Sequence, residues 1–155
     1  MTDTELLRGD GVTLVPVAAE AALDALDQLT GGRPVGRGWP HDDTPAGLAF
    51  AAAGGWSWLI VDGDGCVVGE CGTKAPPRDG VVEIGYGLAA PSRGAGLGGR
   101  AVGTLVSWLA ARPDVQTIVA HVAVGNPASA RLLERLGFTP AGEVAGEVEF
   151  VRQPV

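Results

Sequence analysis

A glycine-rich stretch is the first part of this sequence whose residue types and spacing could do chemistry. It joins a predicted strand to a predicted helix. The stretch reads Pro91-Ser92-Arg93-Gly94-Ala95-Gly96-Leu97-Gly98-Gly99-Arg100. Glycines let the backbone approach a ligand closely, and the free N–H groups at the start of a helix attract an anion. The stretch therefore predicts a site for a ligand that carries phosphate.

Gly94, Gly96 and Gly99 also satisfy the pattern G-x-G-x-x-G of dinucleotide-binding proteins. That pattern normally follows the first strand of a βαβ unit and has an acidic residue about 20 positions further on. Here it follows a three-strand meander, and Asp114 precedes the next strand instead of ending it. A nicotinamide site and a purely structural turn are the two alternatives to a phosphate site.

The surrounding elements follow from hydrophobic periodicity and from turn residues. Alternating or apolar runs predict strands, and apolar residues three and four apart predict helices. The predicted strands are residues 11–17, 57–61, 67–73, 81–88, 117–122, 138–141 and 147–151. The predicted helices are residues 18–29, 45–53, 96–111 and 127–136, with a loop rich in Gly and Pro at 31–45. This order favours an α+β fold, in which helices pack on a mixed sheet.

Composition places the chain among globular proteins of one domain, spanning 1–155. Of its 155 residues 46% are hydrophobic and 19% charged, which is enough for a packed core. A net charge of -7 argues against binding to nucleic acid or to an anionic membrane. The sequence has no signal-peptide pattern and no membrane span, and Cys66 and Cys71 lie too far apart on one strand for a disulfide. We therefore expect a cytoplasmic protein with free thiols.

Three motifs together carry a resemblance to a known family. They are R-x-x-G-x-G from Arg93, E-I-G-Y from Glu83, and N-P-A-S-A-R-L-L-E-R-L-G-F from Asn126. In order and spacing they resemble the pyrophosphate-binding signature and flanking segments of the GNAT superfamily of acyl-CoA-dependent N-acyltransferases. The third motif is similar to the branch of ribosomal-protein N-terminal acetyltransferases. The resemblance runs from residue 81 to residue 138.

The resemblance implies a central, mostly antiparallel, splayed sheet flanked by helices. It also implies acetyl-CoA as the acyl donor, no metal, and direct transfer of the acetyl group to an amine in a ternary complex. The amine must lose a proton to attack, the oxyanion needs an N–H donor, and the leaving thiolate takes up a proton. The acidic net charge is compatible with a cationic acceptor, and many members of the family form homodimers.

The resemblance further implies which residues hold the cofactor. Backbone groups of Leu88 and Ala90 would pair with the pantetheine arm, and the Leu88 N–H would stabilise the oxyanion. Asn126 resembles the residue that hydrogen-bonds the same arm, with a plain helix cap as the alternative. The turn that would hold the pyrophosphate comprises Arg93, Gly94, Ala95, Gly96, Leu97, Gly98 and Gly99.

Glu83 is the predicted general base. It lies mid-strand with Gly85 and Gly87 on its own face, which would leave open space beside it, and it matches the position of a base in several relatives. The alternative is a carboxylate satisfied by backbone groups or by an arginine. Many relatives have a tyrosine where Leu133 stands, so the acid for the thiolate would be Ser129 or water. The alternative for Ser129 is a hydrogen bond to the helix or to the cofactor.

The early loop, residues 31–45, is the predicted acceptor site, as in similar folds. Trp39 could supply an apolar wall near His41, and Asp42 could attract a cationic amine. A solvated acidic loop explains Asp42 equally well. His121 is interpreted as a structural histidine rather than as a second base.

Two functions from different classes follow from these observations. The first is an acetyl-CoA-dependent N-acetyltransferase, with succinyl-CoA or a longer acyl-CoA as a variant donor. The second is a non-catalytic acyl-CoA-binding or regulatory domain that kept the cofactor turn. A peptide N-terminus, a polyamine and an amino-sugar antibiotic all fit as acceptors. One lysine among 11 basic residues, with abundant Ala, Gly and Val, is typical of a GC-rich bacterial genome.

Overall fold

Eight strands and three α-helices make up the part of the chain that the computed structural model describes, residues 5–18 and 29–153. The strands are β1 Leu7–Gly9, β2 Val12–Val17, β3 Trp56–Val61, β4 Val67–Thr73, β5 Val81–Leu88, β6 Thr117–Ala123, β7 Thr139–Val144 and β8 Glu147–Arg152. The helices are α1 Thr44–Ala52, α2 Leu97–Ala110 and α3 Pro127–Arg135, with one 3-10 turn at Ala90–Ser92.

The eight strands form one sheet in the order β1-β2-β3-β4-β5-β6-β8-β7. Every neighbouring pair is antiparallel except β5 and β6, which run parallel. A parallel pair needs a crossover connection, and α2 supplies it here. The predicted α+β fold with a mostly antiparallel sheet is therefore confirmed.

The sheet splits between its two parallel strands. β5 and β6 pair over a short stretch, from Val81 opposite Thr117 to Ile84 opposite Ala120. Beyond it β5 stays paired with β4 as far as Leu88, while β6 follows β8. The two strand ends therefore diverge and leave an opening, which confirms the splayed sheet that the resemblance implies.

The helices cover opposite faces of the sheet. On one face α2 buries Leu105 and Leu109 in a cluster with Ile84 of β5, and α3 packs beside α2. On the other face α1 contributes Leu48 to a second cluster, with Leu59 of β3. Side chains alternate along a strand, so the odd-numbered residues of β5 and β6 lie on the α1 face. Burying one such leucine contributes roughly 1.5–3 kcal/mol.

The predicted elements match the observed ones within one residue at either end, apart from β7. β7 is predicted at 138–141 and extends to Val144. β1 is absent from the prediction because its three residues are too few to show a period. The predicted helix at 18–29 lies largely outside the described residues, of which Leu29 is helical.

Both cysteines are free thiols, as the sequence predicts. Cys71 is buried, and burial, aided by the nearby Glu70 carboxylate, raises the pKa of its thiol. Within the described residues no helix combines the length and the apolar character that a membrane crossing requires. The same part of the chain contains no cluster of His, Cys, Asp and Glu that could hold a metal ion.

Candidate active site

The turn before α2 has the backbone conformation that an anion site needs. Gly94 and Gly96 have φ values of 88° and 81°, in the left-handed region that favours glycine. Gly96 is the N-cap of α2 and, because it has no side chain, makes no capping hydrogen bond to the first N–H groups of the helix. Gly94, Ala95 and Gly96 are also exposed. The start of α2 therefore presents N–H groups to solvent at the positive end of a helix.

The other predicted residues of the turn differ in how closely their surroundings are packed. Leu97 is buried in the core, so only its backbone can contact a ligand. A Cβ at Gly98 would lie 3.2 Å from side-chain carbons of Leu132 and Leu88, so the glycine lets α2 pack closely. Apart from its own helix and its chain neighbours, Gly99 has no atom of the described residues within 4 Å of its Cβ position.

Arg93 ties the turn to the end of β5. Its Nε donates to the carbonyl oxygen of Leu88 at 3.1 Å, and its backbone N–H donates to that of Ala90 at 3.2 Å. Both carbonyl oxygens thus already have a donor. The prediction that Leu88 and Ala90 pair with a pantetheine arm therefore rests mainly on their N–H groups.

Asn126 and Ser129 stand at the start of α3. The Asn126 Oδ1 accepts a hydrogen bond from the Ser129 backbone N–H at 3.3 Å, so Asn126 caps the helix. The amide NH2 group of the same side chain is a donor that the cap does not use. A cap and a cofactor contact are thus compatible for this residue.

Tyr86, the only tyrosine of the chain, brings a phenol to the opening in the sheet. It lies on β5 beyond the last pair with β6, and its hydroxyl is in hydrogen-bonding contact with the Ser129 hydroxyl. Burial raises the pKa of Tyr86, and the contact with Ser129 offsets this only in part. The two hydroxyls therefore link β5 to α3 across the opening, on the α2 face of the sheet.

Four ionisable side chains lie together on the α1 face, beside the opening. Lys74 Nζ lies 2.6 Å from Glu83 Oε2, and His121 Nδ1 lies 2.9 Å from the same oxygen. The other ring nitrogen of His121, Nε2, lies 3.2 Å from Glu149 Oε2. We call Lys74, Glu83, His121 and Glu149 the Glu83 cluster. The partners of Glu83 are thus a lysine and a histidine.

The contacts within the Glu83 cluster shift two pKa values in opposite directions. Partial burial alone would raise the pKa of Glu83, but the hydrogen bonds and charges of Lys74 and His121 outweigh it and lower that pKa. The hydrogen bond with Glu83 raises the pKa of His121; partial burial opposes the shift, and the Glu149 charge adds to it. Glu83 is thus held ionised, and His121 keeps its proton to a higher pH than an isolated histidine.

The space beside Gly85 and Gly87 on β5 is filled by other side chains. A Cβ at Gly85 would lie 3.0 Å from the Phe50 ring of α1. A Cβ at Gly87 would lie 2.6 Å from Glu70 Oε2 and 2.9 Å from His41 Cε1. The glycines therefore make room for the protein itself, and the prediction of open space on this face of β5 is wrong.

A buried carboxylate, Glu70 on β4, organises the predicted acceptor loop. Glu70 is 2% exposed, and its Oε1 accepts hydrogen bonds from Trp39 Nε1 at 3.0 Å and from Thr44 Oγ1 at 2.8 Å. His41 Nε2 lies 3.0 Å from its Oε2, without the alignment of a hydrogen bond. Trp39 is itself 4% exposed and its indole N–H donates to Glu70, while its role as an apolar wall of the acceptor site stays a prediction.

His41 and Asp42 lie at the outer end of the same loop. Asp42 is exposed, and His41 Nδ1 accepts a hydrogen bond from the Asp43 backbone N–H at 3.2 Å. Through its contact with Gly87, His41 reaches the face of β5 that carries Glu83. The loop and the Glu83 cluster are therefore on the same side of the sheet.

A family model spans most of this architecture. Residues 12–139 match the model described as an acetyltransferase (GNAT) domain. The chain belongs to the GNAT acetyltransferase family. Acetyltransferases of the GNAT family use acetyl-CoA and act on amine acceptors, which agrees with exposed helix N–H groups and ionisable side chains on either side of one opening.

Individual GNAT proteins resemble this chain along most of its length. It is 28% identical over 138 residues to the "uncharacterized N-acetyltransferase YjdG" of Bacillus subtilis (strain 168), over 82% of this chain and 81% of that protein. A RimL ribosomal L7/L12 alpha-N-protein acetyltransferase, solved with coenzyme A, matches with a TM-score of 0.70, 20% identity and coverage of 96% and 98%. Spermidine N-acetyltransferase from Vibrio cholerae matches with a TM-score of 0.65, 16% identity and coverage of 93% and 94%. At these identities the two solved structures support the GNAT fold alone.

Sequence reasoning missed four residues that line the candidate site of this GNAT domain: Phe50, Glu70, Lys74 and Tyr86. Glu70 does carry a signal, because it is the one charged residue of the strand 67–73 and a charge in a buried strand is almost always paired. Tyr86 lies inside the E-I-G-Y motif, but nothing in the motif says which helix its hydroxyl meets.

Proposed function

We propose that this chain is an N-acetyltransferase that transfers the acetyl group of acetyl-CoA directly to a primary amine. The observation that carries the proposal is the opening between β5 and β6. An anion-binding turn and two linked hydroxyls lie on its α2 side, and charged groups that can move protons lie on its α1 side. A donor and an amine approaching from opposite faces would meet at this opening.

The turn before α2 fits the pyrophosphate of a CoA donor. Residues 91–100 include no acidic side chain, and Arg93 lies beside the exposed glycines. A Cβ at Gly96 would lie 3.3 Å from Arg100 Nη1, so a second guanidinium group lies next to the turn. N–H groups at a helix start and guanidinium groups both stabilise phosphate oxygens. We therefore assign the pyrophosphate to this turn and the pantetheine arm to Asn126.

The proton transfers are assigned to the two sides of the opening. An alkylammonium acceptor, with a pKa of about 10, loses one proton before it attacks and a second as the amide forms. In the proposed reaction Glu83 and its cluster receive these protons on the α1 face. The CoA thiolate, whose conjugate thiol has a pKa of about 8.5, takes a proton from Ser129, whose hydroxyl is linked to that of Tyr86 and regains its proton from solvent. The Leu88 N–H is the proposed donor to the oxyanion.

A cationic acceptor suits the charge around the opening. In the Glu83 cluster two carboxylates face one lysine, Asp42 is exposed nearby, and the chain has a net charge of -7. The substrates named for two fold neighbours, a ribosomal protein α-amino group and spermidine, are both amines. We therefore propose a primary amine with a positive charge, a peptide N-terminus or a polyamine, as the acceptor.

Binding and turnover test the proposed function in two steps. Calorimetric titration with acetyl-CoA, CoA and NADH in parallel should give saturable binding of the first two and none of NADH. Thiol release from acetyl-CoA is then followed with spermidine and with a peptide that has a free N-terminus. Binding without turnover of any amine would support a non-catalytic acyl-CoA-binding domain, and failure to bind CoA would refute the donor assignment.

Replacing Glu83 by glutamine should lower kcat by about 10²-fold or more, because the proton-accepting cluster loses the carboxylate that joins Lys74 and His121. The dissociation constant for CoA should stay unchanged, since Glu83 and the turn before α2 are on different sides of the opening. Initial rates of thiol release and calorimetry measure the two quantities. Glu143→Gln, which removes an exposed carboxylate of β7, is the control and should keep the original rate. An unchanged kcat in Glu83→Gln would contradict the role of Glu83.

Tyr86→Phe and Ser129→Ala should each lower kcat by about 10²-fold, because each removes one of the two linked hydroxyls that protonate the thiolate. The double variant should lose little more than either single variant, since the hydroxyls act as one unit. Rates of thiol release at saturating acetyl-CoA measure this. If all three variants retain the original kcat, water supplies the proton and the hydroxyls have no catalytic role.

A further inference from the structure

His121 stands where the sheet opens. The last pair between β5 and β6 joins Ile84 to Ala120, so His121 is the first residue of β6 beyond the parallel ladder. It lies on the α1 face, and its side chain is 30% exposed. An amine that approaches the opening from the α1 face would therefore meet this imidazole.

Both ring nitrogens of His121 face a carboxylate oxygen. Nδ1 is 2.9 Å from Glu83 Oε2, and Nε2 is 3.2 Å from Glu149 Oε2. Glu149 lies directly opposite His121 in the antiparallel pair of β6 and β8 and is 45% exposed. The three side chains thus form a row across β5, β6 and β8 that runs from the edge of the opening to solvent.

Glu83 alone is poorly suited to receive a proton from an amine. Its Oε2 is shared between Lys74 at 2.6 Å and His121 at 2.9 Å, so this oxygen is already bonded twice. A carboxylate that accepts hydrogen bonds from a lysine and a histidine also binds a proton weakly. Imidazole is the side chain whose ordinary pKa, about 6.5, best matches proton uptake near neutral pH.

We propose that His121 is the catalytic residue that takes the proton of the acceptor amine, that Glu83 positions its ring, and that Glu149 passes the proton to solvent. This inference rests on the proposed function and assigns one of its steps. Nδ1 keeps its proton and donates to Glu83, which leaves the lone pair of Nε2 as the acceptor.

The atoms of the proposed step balance. As the amine nitrogen forms its bond to the acetyl carbon, an N–H bond breaks and the proton moves to His121 Nε2. The C–S bond then breaks, and the thiolate takes a proton from the linked hydroxyls of Tyr86 and Ser129. His121 passes its proton to Glu149 and on to solvent. The first proton of an ammonium acceptor leaves by the same row, and the hydroxyl pair regains its proton from solvent, so one net proton is released per turnover.

The charges that face His121 come from four side chains. Glu83 on β5 and Glu149 on β8 contact the ring, Glu147 on β8 lies further along the strand, and Lys74 after β4 contacts Glu83. The hydrogen bond to Glu83 contributes most to the raised pKa of His121, with Glu149 and then Glu147 adding to it. Removing either contacting carboxylate should therefore let the ring lose its proton at a lower pH.

The first experiment measures the titration of His121 by NMR in the whole protein without substrate. The chain has two histidines, so the spectrum of a His41→Gln variant assigns both ring signals. The pKa of His121 should exceed the ordinary value of about 6.5 and should fall in Glu83→Gln and in Glu149→Gln. Glu134→Gln, which removes an exposed carboxylate of α3, should leave it unchanged. A value at or below 6.5 in the unmodified protein would overturn the proposal.

The second experiment measures kcat against pH, with spermidine or the N-terminally free peptide, whichever is acetylated faster. In the unmodified protein kcat should rise with pH through the raised pKa of His121, because only the neutral ring accepts a proton. Glu149→Gln should move this rise to lower pH by the shift that NMR gives. His121→Gln should abolish it and lower kcat by about 10²–10⁴-fold, with CoA affinity retained.

The failure of this inference is distinguishable from the failure of the proposed function. If the unmodified protein acetylates an amine while His121→Gln keeps the same kcat and the same pH profile, His121 has no catalytic role and the proposed function stands. If the unmodified protein acetylates neither probe, the proposed function fails and the inference fails with it.

Discussion

Gly96→Ala should weaken the binding of acetyl-CoA by about tenfold or more while the protein stays folded. Gly96 is the N-cap of α2 with φ of 81°, and holding an L-residue in that region costs roughly 1–2 kcal/mol. A Cβ there would also lie 3.3 Å from Arg100 Nη1, beside the proposed pyrophosphate site. Relaxing the strain would turn the N–H groups at the start of α2 away from the phosphate oxygens.

Two further glycines separate this effect from a general loss of stability. Gly65, in the turn between β3 and β4, has φ of 85°, and beyond its chain neighbours no atom in the described part of the chain lies within 4 Å of its Cβ position. Gly65→Ala should therefore lose a similar amount of stability and keep acetyl-CoA affinity. Gly99→Ala adds a methyl group to open space in the first turn of α2 and should be neutral or stabilising by up to about 1 kcal/mol. Calorimetry measures the affinity for acetyl-CoA, and thermal unfolding measures the stability. If Gly96→Ala binds acetyl-CoA with the original affinity, the assignment of the pyrophosphate to this turn is contradicted.

Glu70→Ala should lower the free energy of unfolding by about 3 kcal/mol. The carboxylate is buried and accepts hydrogen bonds from the Trp39 indole and the Thr44 hydroxyl, with His41 at 3.0 Å. Removing it leaves buried donors without an acceptor, which costs about 1–3 kcal/mol for each group. The effect would reach the acceptor loop, because Trp39, His41 and Thr44 all depend on this one side chain.

Glutamine is a graded replacement at the same position. Trp39 and Thr44 both donate to Oε1 of Glu70, so the single carbonyl oxygen of Glu70→Gln can accept both bonds. Glu70→Gln should therefore lower the free energy of unfolding clearly less than Glu70→Ala does. Glu149→Ala, at a half-exposed carboxylate, should stay within about 0.5 kcal/mol of the original protein. Urea unfolding measures the free energy of unfolding of all three variants. A Glu70→Ala variant as stable as Glu149→Ala would contradict the structural role of Glu70.

Local pattern was enough to predict the elements. The helix α2 has its apolar residues on one face, and the turns between β3, β4 and β5 contain Gly, Asp and Pro at the expected places. The motif resemblance added the split between β5 and β6, which no periodicity encodes. β1 was beyond reach because three residues carry too little pattern.

Side-chain partners in the candidate site could not be predicted in the same way. Tyr86 and Ser129 are 43 positions apart, and Glu83 and His121 are 38 positions apart. Their contacts depend on how strands and helices meet in space, which neither spacing nor residue type records. For this reason the sequence alone favours a structural role for His121 and cannot show its contact with Glu83. The same limit made the glycines of β5 look like open space when Phe50 and His41 cover them.

The short ladder between β5 and β6 divides the sheet into two parts. Strands β1 to β5 form one plate and β6, β8 and β7 form another, and the backbone seam between them runs only from Val81 to Ile84 on the β5 side. The seam joins the two parts at one end of the opening. Beyond it the Tyr86–Ser129 contact bridges the α2 face, and the Glu83–His121 contact bridges the α1 face beside the seam. Two side-chain contacts therefore also join the two parts of the sheet, and each contains a group proposed to carry a proton in the reaction.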